Sequence, residues 1–303
     1  MKVIASLLVA AISVPASAGI IRHDTPDSWY TGLATDPAFN GVGLIFAENA
    51  DTPYSCSGTV INKNWVLTAG HCVNAARTMS FYLPDETGWR FYEADSWVAH
   101  ENFGDATFVD GWDIGLMHFE TEFEVAPAQL YTGDTEWLNT SISVGFGFTG
   151  TGETGMTTID YQSRAGTNII DDLWSAEGSG QQILWSDFDH PTDPAYNYFN
   201  FPGVDFDDLA SVLEIMIAPG DSGGGVFIQQ DGQVYLAGVH SFIADVTNDG
   251  TFGYGDIYGS TRLSSFGDWI NEKITTHPVP ESGSLLLTLI GFIGLLARRL
   301  RIC

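Results

Sequence analysis

Basic residues are scarce. The 303 residues hold 11 Lys and Arg against 38 Asp and Glu, a formal net charge of −27. Lys2 lies near the N-terminus, and Arg298, Arg299 and Arg301 lie at the C-terminus, so seven basic residues serve everything between. A phosphate backbone or an anionic membrane surface is held by clustered Lys and Arg, so this body argues against nucleic-acid partners. The acid excess serves solubility, and salt screens the self-repulsion it brings. A structural calcium among the carboxylates is left open. Cysteine is nearly absent too: Cys56, Cys72 and Cys303 are the three. That is too few for a disulfide-dense scaffold, and Cys56 and Cys72 lack nearby partners for a structural zinc site. No apolar run reaches the roughly 20 residues that a spanning helix takes.

What is present is apolar and aromatic: 44% hydrophobic, 13% aromatic, with 34 glycines. The chain is long enough for one large all-β domain or two small ones. Residues 41–46, 59–61, 65–68, 114–119, 141–148 and 233–242 read as short strands, with Asn62-Lys63-Asn64 a turn of hairpin length. Short strands at this spacing with Gly-rich turns indicate a sandwich or a pair of barrels. Near the end, Leu263, Phe266, Ile270 and Ile274 share one helical face. Residues 170–212, rich in Asp, Phe, Tyr and Pro, read in part as an enlarged surface loop, with His190 an ordinary loop residue.

Both ends read as processing segments. Residues 1–18 have a charged start at Lys2, an apolar run and the small-residue ending Ala16-Ser17-Ala18, the pattern of a signal peptide cut after Ala18. Export permits a disulfide, and Cys56–Cys72 is the natural pair, with two free buried thiols the alternative. The expected body is 19–277. Residues 278–303 give a Pro-containing linker, an apolar run over 285–297 and a basic end that stays cytoplasmic by the positive-inside rule. This tail resembles the PEP-CTERM sorting signal of Gram-negative bacteria, although Ser282 stands where the second Pro is usual. The resemblance implies cleavage by an exosortase, transient membrane association through 285–297, and a final place outside the cell or on its envelope. A simple C-terminal anchor is the alternative.

Three blocks carry chemistry. Gly220-Asp221-Ser222-Gly223-Gly224-Gly225 places a serine in a turn whose N–H groups can converge on an oxyanion. Thr68-Ala69-Gly70-His71-Cys72 and Asp113-Ile114-Gly115-Leu116 precede it. A serine hydroxyl needs a base within hydrogen-bond reach, and an imidazole titrates in the useful range. In the order His, Asp, Ser these blocks resemble the chymotrypsin/trypsin-type serine peptidases over roughly residues 35–275. The resemblance implies two six-stranded antiparallel β-barrels with a C-terminal helix, and a cofactor-free site with no metal. In it Ser222 is the nucleophile, His71 the base and Asp113 its orienting partner, with the oxyanion held by the N–H groups of Gly220 and Ser222. It also implies that Cys56–Cys72 braces the His71 loop.

The same resemblance puts Met216, six positions before the implied nucleophile, at the base of the primary pocket, where an Asp would imply Lys or Arg preference. It also implies that Ser241 and Phe242 fall in the strand that forms a pocket wall. His240 in the same strand resembles the residue by which glutamyl endopeptidases recognise a carboxylate. The expectation is cleavage of peptides after Glu or after an apolar residue. A catalytically inactive binding module on the same fold, or an esterase with the same triad, are the alternatives. Asp221 is implied to need a cationic partner, for which a new N-terminus at Gly19 or Ile20 is one candidate.

Overall fold

The computed structural model describes residues 19–86, 88–104, 106–199 and 210–277. The expected signal peptide, the PEP-CTERM-like tail and Cys303 lie outside the described residues. The described residues up to Gly267 form one compact unit. Its strands are β1 Gly19–Ile21, β2 Val42–Glu48, β3 Pro53–Asn62, β4 Trp65–Thr68, β5 Thr78–Asp85, β6 Gly88–Glu93, β7 Ser96–Ala99 and β8 Gly115–His118. They continue with β9 Thr140–Gly145, β10 Phe148–Thr151, β11 Gly155–Ile159, β12 Arg164–Ile169, β13 Asp172–Leu173 and β14 Ile183–Asp187. The last four are β15 Ile215–Met216, β16 Gly225–Gln230, β17 Gln233–Ala244 and β18 Ile257–Arg262.

Two curled seven-stranded sheets realise the expected pair of barrels. The first runs β6-β5-β2-β3-β4-β8-β7 and the second β12-β9-β16-β17-β18-β14-β13. In β5 the alternation is visible in the residues themselves: Met79, Phe81 and Leu83 are buried while Thr78, Ser80 and Tyr82 are not. Phe81 meets Phe119 and Phe123, and Tyr92 closes on Phe123, so the first sheet wraps an aromatic core. Aromatic pairs at these centroid separations add to the area they bury. In the second sheet Tyr131, Ile170, Leu184, Val226, Ile228 and Ala237 form a core cluster.

A third, four-stranded sheet runs β11-β10-β1-β15. β1 lies parallel to β10 and antiparallel to β15, with Ile20 opposite Met216. Ile20 is fully buried in a cluster with Phe188, Met216, Ile217, Ala218, Tyr254 and Tyr258. Gly19 thereby enters the body of the protein beside the segment that leads to Ser222.

The helical expectation near the end divides in two. Leu263–Ser265 is a single 3-10 turn, and the helix proper spans Gly267–Thr276, burying Trp269 and Ile270. The reading of 170–212 changes more. Ile183–Asp187 is an inner strand between β18 and β13 with all five residues buried, while residues 192–196 are exposed, the part that reads as a surface loop. Its Ser186 and Asp187 interrupt the apolar pattern that marks a buried strand. Four carboxylates, Asp171, Asp187, Asp189 and Glu214, are buried around it. Asp187 Oδ2 accepts from Tyr198 N at 2.6 Å and Phe199 N at 3.1 Å, and Glu214 Oε1 accepts from Asp189 N at 2.9 Å. Asp187 thereby ties Tyr198 and Phe199 to β14. Burial, then the like charge of Asp187, pushes Asp171 up to about 10; burial raises Glu214 to about 8.

Candidate active site

The short helical turn Gly70–Val73 follows β4 and carries His71. The disulfide Cys56–Cys72 joins this turn to the middle of β3, with Cα atoms 6.3 Å apart. Asp113 sits just before β8, which pairs with β4, so Thr68 lies opposite Gly115. That register brings the two loops together. Asp113 Oδ1 accepts from His71 N and Oδ2 lies against His71 Nδ1, both at 2.8 Å. Asp113 is fully buried. A carboxylate only accepts, so Nδ1 carries the hydrogen of this bond and Nε2 faces away from Asp113.

Ser222 lies in the loop before β16. Gly220 adopts φ +95° and Gly223 φ +84°, backbone that favours glycine. At Gly223 space agrees with φ: a Cβ there would stand 2.1 Å from Thr68 Oγ1 and 2.2 Å from Ser57 O. The loop is fastened on every side. Ser222 O accepts from Ser57 N at 2.8 Å, Gly220 O accepts from Ser57 Oγ at 2.9 Å, and Gly223 N donates to His240 O at 2.8 Å. Asp221 N and Gly224 N donate to Ala218 O and Asp221 O, so the N–H groups of Gly220 and Ser222 take part in none of these bonds. The Cys72 sulfur lies 3.7 Å from Ser222 O, so the Ser222 loop and the His71 turn touch. Ser222 itself is half-buried.

The buried Asp221 carboxylate accepts from Gly147 N at 2.7 Å and from Ala218 N at 2.9 Å. Burial raises it to about 7 against those hydrogen bonds. It shares with Gly19, Ser143, Arg164 and His240 the wall of a cavity of about 10 Å³.

The four expected pocket residues separate. Met216 is fully buried in the cluster around Ile20. Phe242 is partly buried against Trp185 and stacks on Phe108 at 5.8 Å, and Phe108 sets its edge to the His71 ring at 5.5 Å. Ser241 points toward the His71–Asp113 pair: its Oγ donates to Asp113 Oδ2 at 2.5 Å. His240 is 1% exposed, with Nδ1 3.1 Å from Ser260 Oγ, and burial lowers it to about 3.

Sequence reasoning missed Ser57 and Phe108. Ser57 follows Cys56, and its grip on Gly220 spans 163 positions, beyond any local pattern. Cys56, His71 and Cys72 lie together, but both sulfurs are joined in the disulfide and offer no thiolate to a metal.

A trypsin family model matches residues 42–171, a span that includes His71 and Asp113 and ends before Ser222. Chymotrypsin of Phaedon cochleariae is 33% identical over 83 residues, 25% of this chain and 29% of that protein. A collagenase of Hypoderma lineatum is 25% identical over 250 residues, covering 80% of this chain and 84% of that one. Chymotrypsin-like elastase family member 1 of Bos taurus is 23% identical over 269 residues, 78% of this chain and 85% of the relative. Among solved structures, that of HL collagenase at 1.7 Å resolution superposes with a TM-score of 0.58 over 86% of this chain and 98% of that one. At 19% identity it shows the fold alone. Together the matches support a trypsin-family domain.

Proposed function

We propose that the chain is an exported serine endopeptidase of the trypsin family that cleaves peptide bonds after apolar residues. The observation that carries this reading is the Ser241–Asp113–His71 hydrogen-bond chain beside a loop that fixes Ser222 between left-handed glycines. In the proposed reaction Ser222 Oγ attacks the scissile carbonyl carbon while its proton passes to His71 Nε2. The N–H groups of Gly220 and Ser222 hold the oxyanion as it forms. Collapse breaks the C–N bond, and the amine leaves with the proton from His71. Water then adds to the acyl-enzyme by the same route in reverse and frees Ser222. No cofactor takes part in these steps.

Two features support apolar preference over Glu. A histidine lowered to about 3 is neutral at working pH and offers a substrate carboxylate no charge. The aromatic shelf of Phe108 and Phe242 borders His71. Export through a signal peptide ending at Ala18, and sorting through residues 278–303, complete the proposal.

The test incubates the exported protein and Ser222→Ala with a mixed peptide library and reads the cut sites by mass spectrometry. Cuts after Leu, Phe or Met that disappear in the mutant bear the reading out. Cuts confined to Glu would overturn the apolar preference and keep the mechanism. Hydrolysis of small esters alone would make the protein an esterase. A folded protein that neither cuts peptides nor reacts with a fluorophosphonate would be a binding module.

A further inference from the structure

We propose that His240 is a positioning residue for the oxyanion loop, acting through one ordered water held between its Nε2, the Ser143 hydroxyl and the Asp221 carboxylate. The inference rests on the peptidase reading above. Two polar atoms lead to it. His240 Nε2 has no hydrogen-bond partner among the described residues, and Ser143 Oγ has only the buried Tyr258 hydroxyl beside it, which leaves it a further bond to make; His240 and Ser143 are 1% and 2% exposed. Both residues line the cavity that Asp221 also lines. Buried polar groups almost always find partners, protein or water. At about 10 Å³ the cavity is at the lower bound for a single water, and its polar walls supply the two to four contacts a buried water takes.

The donors and acceptors balance. His240 is neutral, so one ring nitrogen carries hydrogen and the other a lone pair. Ser260 Oγ at Nδ1 can donate to it, which leaves Nε2–H to donate to the water. The water then donates one hydrogen to Asp221 and the other to Ser143 Oγ. Asp221 gains a third donor beside Gly147 N and Ala218 N, which favours its anion against burial. The charged groups facing the Asp221 cavity are Arg164 from β12, whose guanidinium is held by Asp27 and Asp160, and, once the signal peptide is cut after Ala18, the Gly19 amine from β1; Tyr258 from β18 faces the His240 ring at 6.3 Å. The glycines of β9 and the following turn bring no charge.

The consequence for the site is direct. Asp221 stands between Gly220 and Ser222, the two residues whose N–H groups define the proposed oxyanion site. Its anion grips Gly147 N and Ala218 N and so sets the turn. His240 already touches the same loop through its backbone, accepting from Gly223 N and donating to Gly224 O at 2.9 Å. The side chain adds a second hold, through the water, on the Asp221 carboxylate.

Three measurements on the exported protein decide the matter. A high-resolution crystal structure is expected to show one water within hydrogen-bond distance of His240 Nε2, Ser143 Oγ and Asp221. An empty cavity, or the amine of Gly19 in that place, overturns the proposal. In kinetics, His240→Met is expected to lower kcat about tenfold with KM nearly unchanged and to move the acid limb of kcat/KM to higher pH. His240→Gln, which keeps an N–H near the same point, is expected to restore most of kcat. Ser143→Ala provides the same acid-limb shift should His240→Met fail to fold. An unmoved acid limb in a folded variant, or a loss confined to KM for one class of substrate, would return His240 to packing or to substrate recognition. Failure of Ser222 to react with a fluorophosphonate would sink the peptidase reading and leave the crystallographic water to be judged separately.

Discussion

Ser241 Oγ and His71 Nδ1 share one oxygen, Asp113 Oδ2, at 2.5 and 2.8 Å. The other oxygen, Oδ1, takes His71 N at 2.8 Å. Three donors therefore hold a fully buried carboxylate in one orientation, and that orientation fixes the imidazole. Ser241→Ala removes one donor and leaves the backbone anchor. It is expected to lower kcat about tenfold while KM stays within twofold, since a hydrogen bond to a charged group contributes roughly 1.5–3 kcal/mol. Steady-state kinetics on an apolar peptide substrate checks it. A change in KM alone would place Ser241 in substrate binding instead.

Replacing the orienting carboxylate goes further. Asp113→Asn keeps the shape but gives Nδ1 an amide that can donate, which favours the imidazole tautomer with its hydrogen on Nε2. That tautomer cannot accept the Ser222 proton. The expected loss in kcat is on the order of 10⁴-fold, with the protein folded. Retention of more than a tenth of wild-type kcat would show that Asp113 does not orient His71.

Much of the candidate site's local geometry is legible in the sequence because each block is local. The Thr68-Ala69-Gly70-His71 turn, the Asp113 strand entry and the glycines about Ser222 each constrain their own backbone. The hairpin about Asn62-Lys63-Asn64 shows for the same reason: β3 ends at Asn62 and β4 begins at Trp65. What escaped is made of long-range bonds. Ser57 reaches Gly220 across 163 positions and Ser241 reaches Asp113 across 128. The strand Ile183–Asp187 escaped because its buried Ser186 and Asp187 find backbone partners that no pattern announces: Ser186 Oγ donates to Ile169 O, and Asp187 accepts from Tyr198 and Phe199.

The disulfide closes a loop of 16 positions and links β3 to the turn that carries His71. Loop entropy assigns such a link roughly 3 kcal/mol. Paired Cys56→Ala and Cys72→Ala substitutions are expected to lower Tm by several degrees and to reduce kcat through a looser His71 turn. Thermal unfolding and kinetics on the same sample check both effects. Unchanged kcat at a lowered Tm would confine the link to stability.

The buried carboxylates set how stability depends on pH, and the sign can be worked out. Asp171 is raised to about 10, Glu214 to about 8 and Asp221 to about 7, each chiefly by burial, and Asp187 is raised as well. In the unfolded chain these groups titrate near 4. Between about pH 4 and 7 the folded protein therefore holds more protons than the unfolded one. Stability is then fully present below the unfolded values and is lost as pH rises through the folded ones. The net charge of −27 pushes the same way, since self-repulsion grows as carboxyls ionise. The expected outcome is a Tm that falls steadily from pH 5 to pH 9. Repeating the pH 9 scan with calcium and with a chelator separates protons from metal. A calcium-dependent rise at pH 9 that Asp171→Asn and Glu214→Gln abolish would mean that a cation neutralises this cluster. A Tm that rises with pH would mean that these acids are ionised and compensated in the fold.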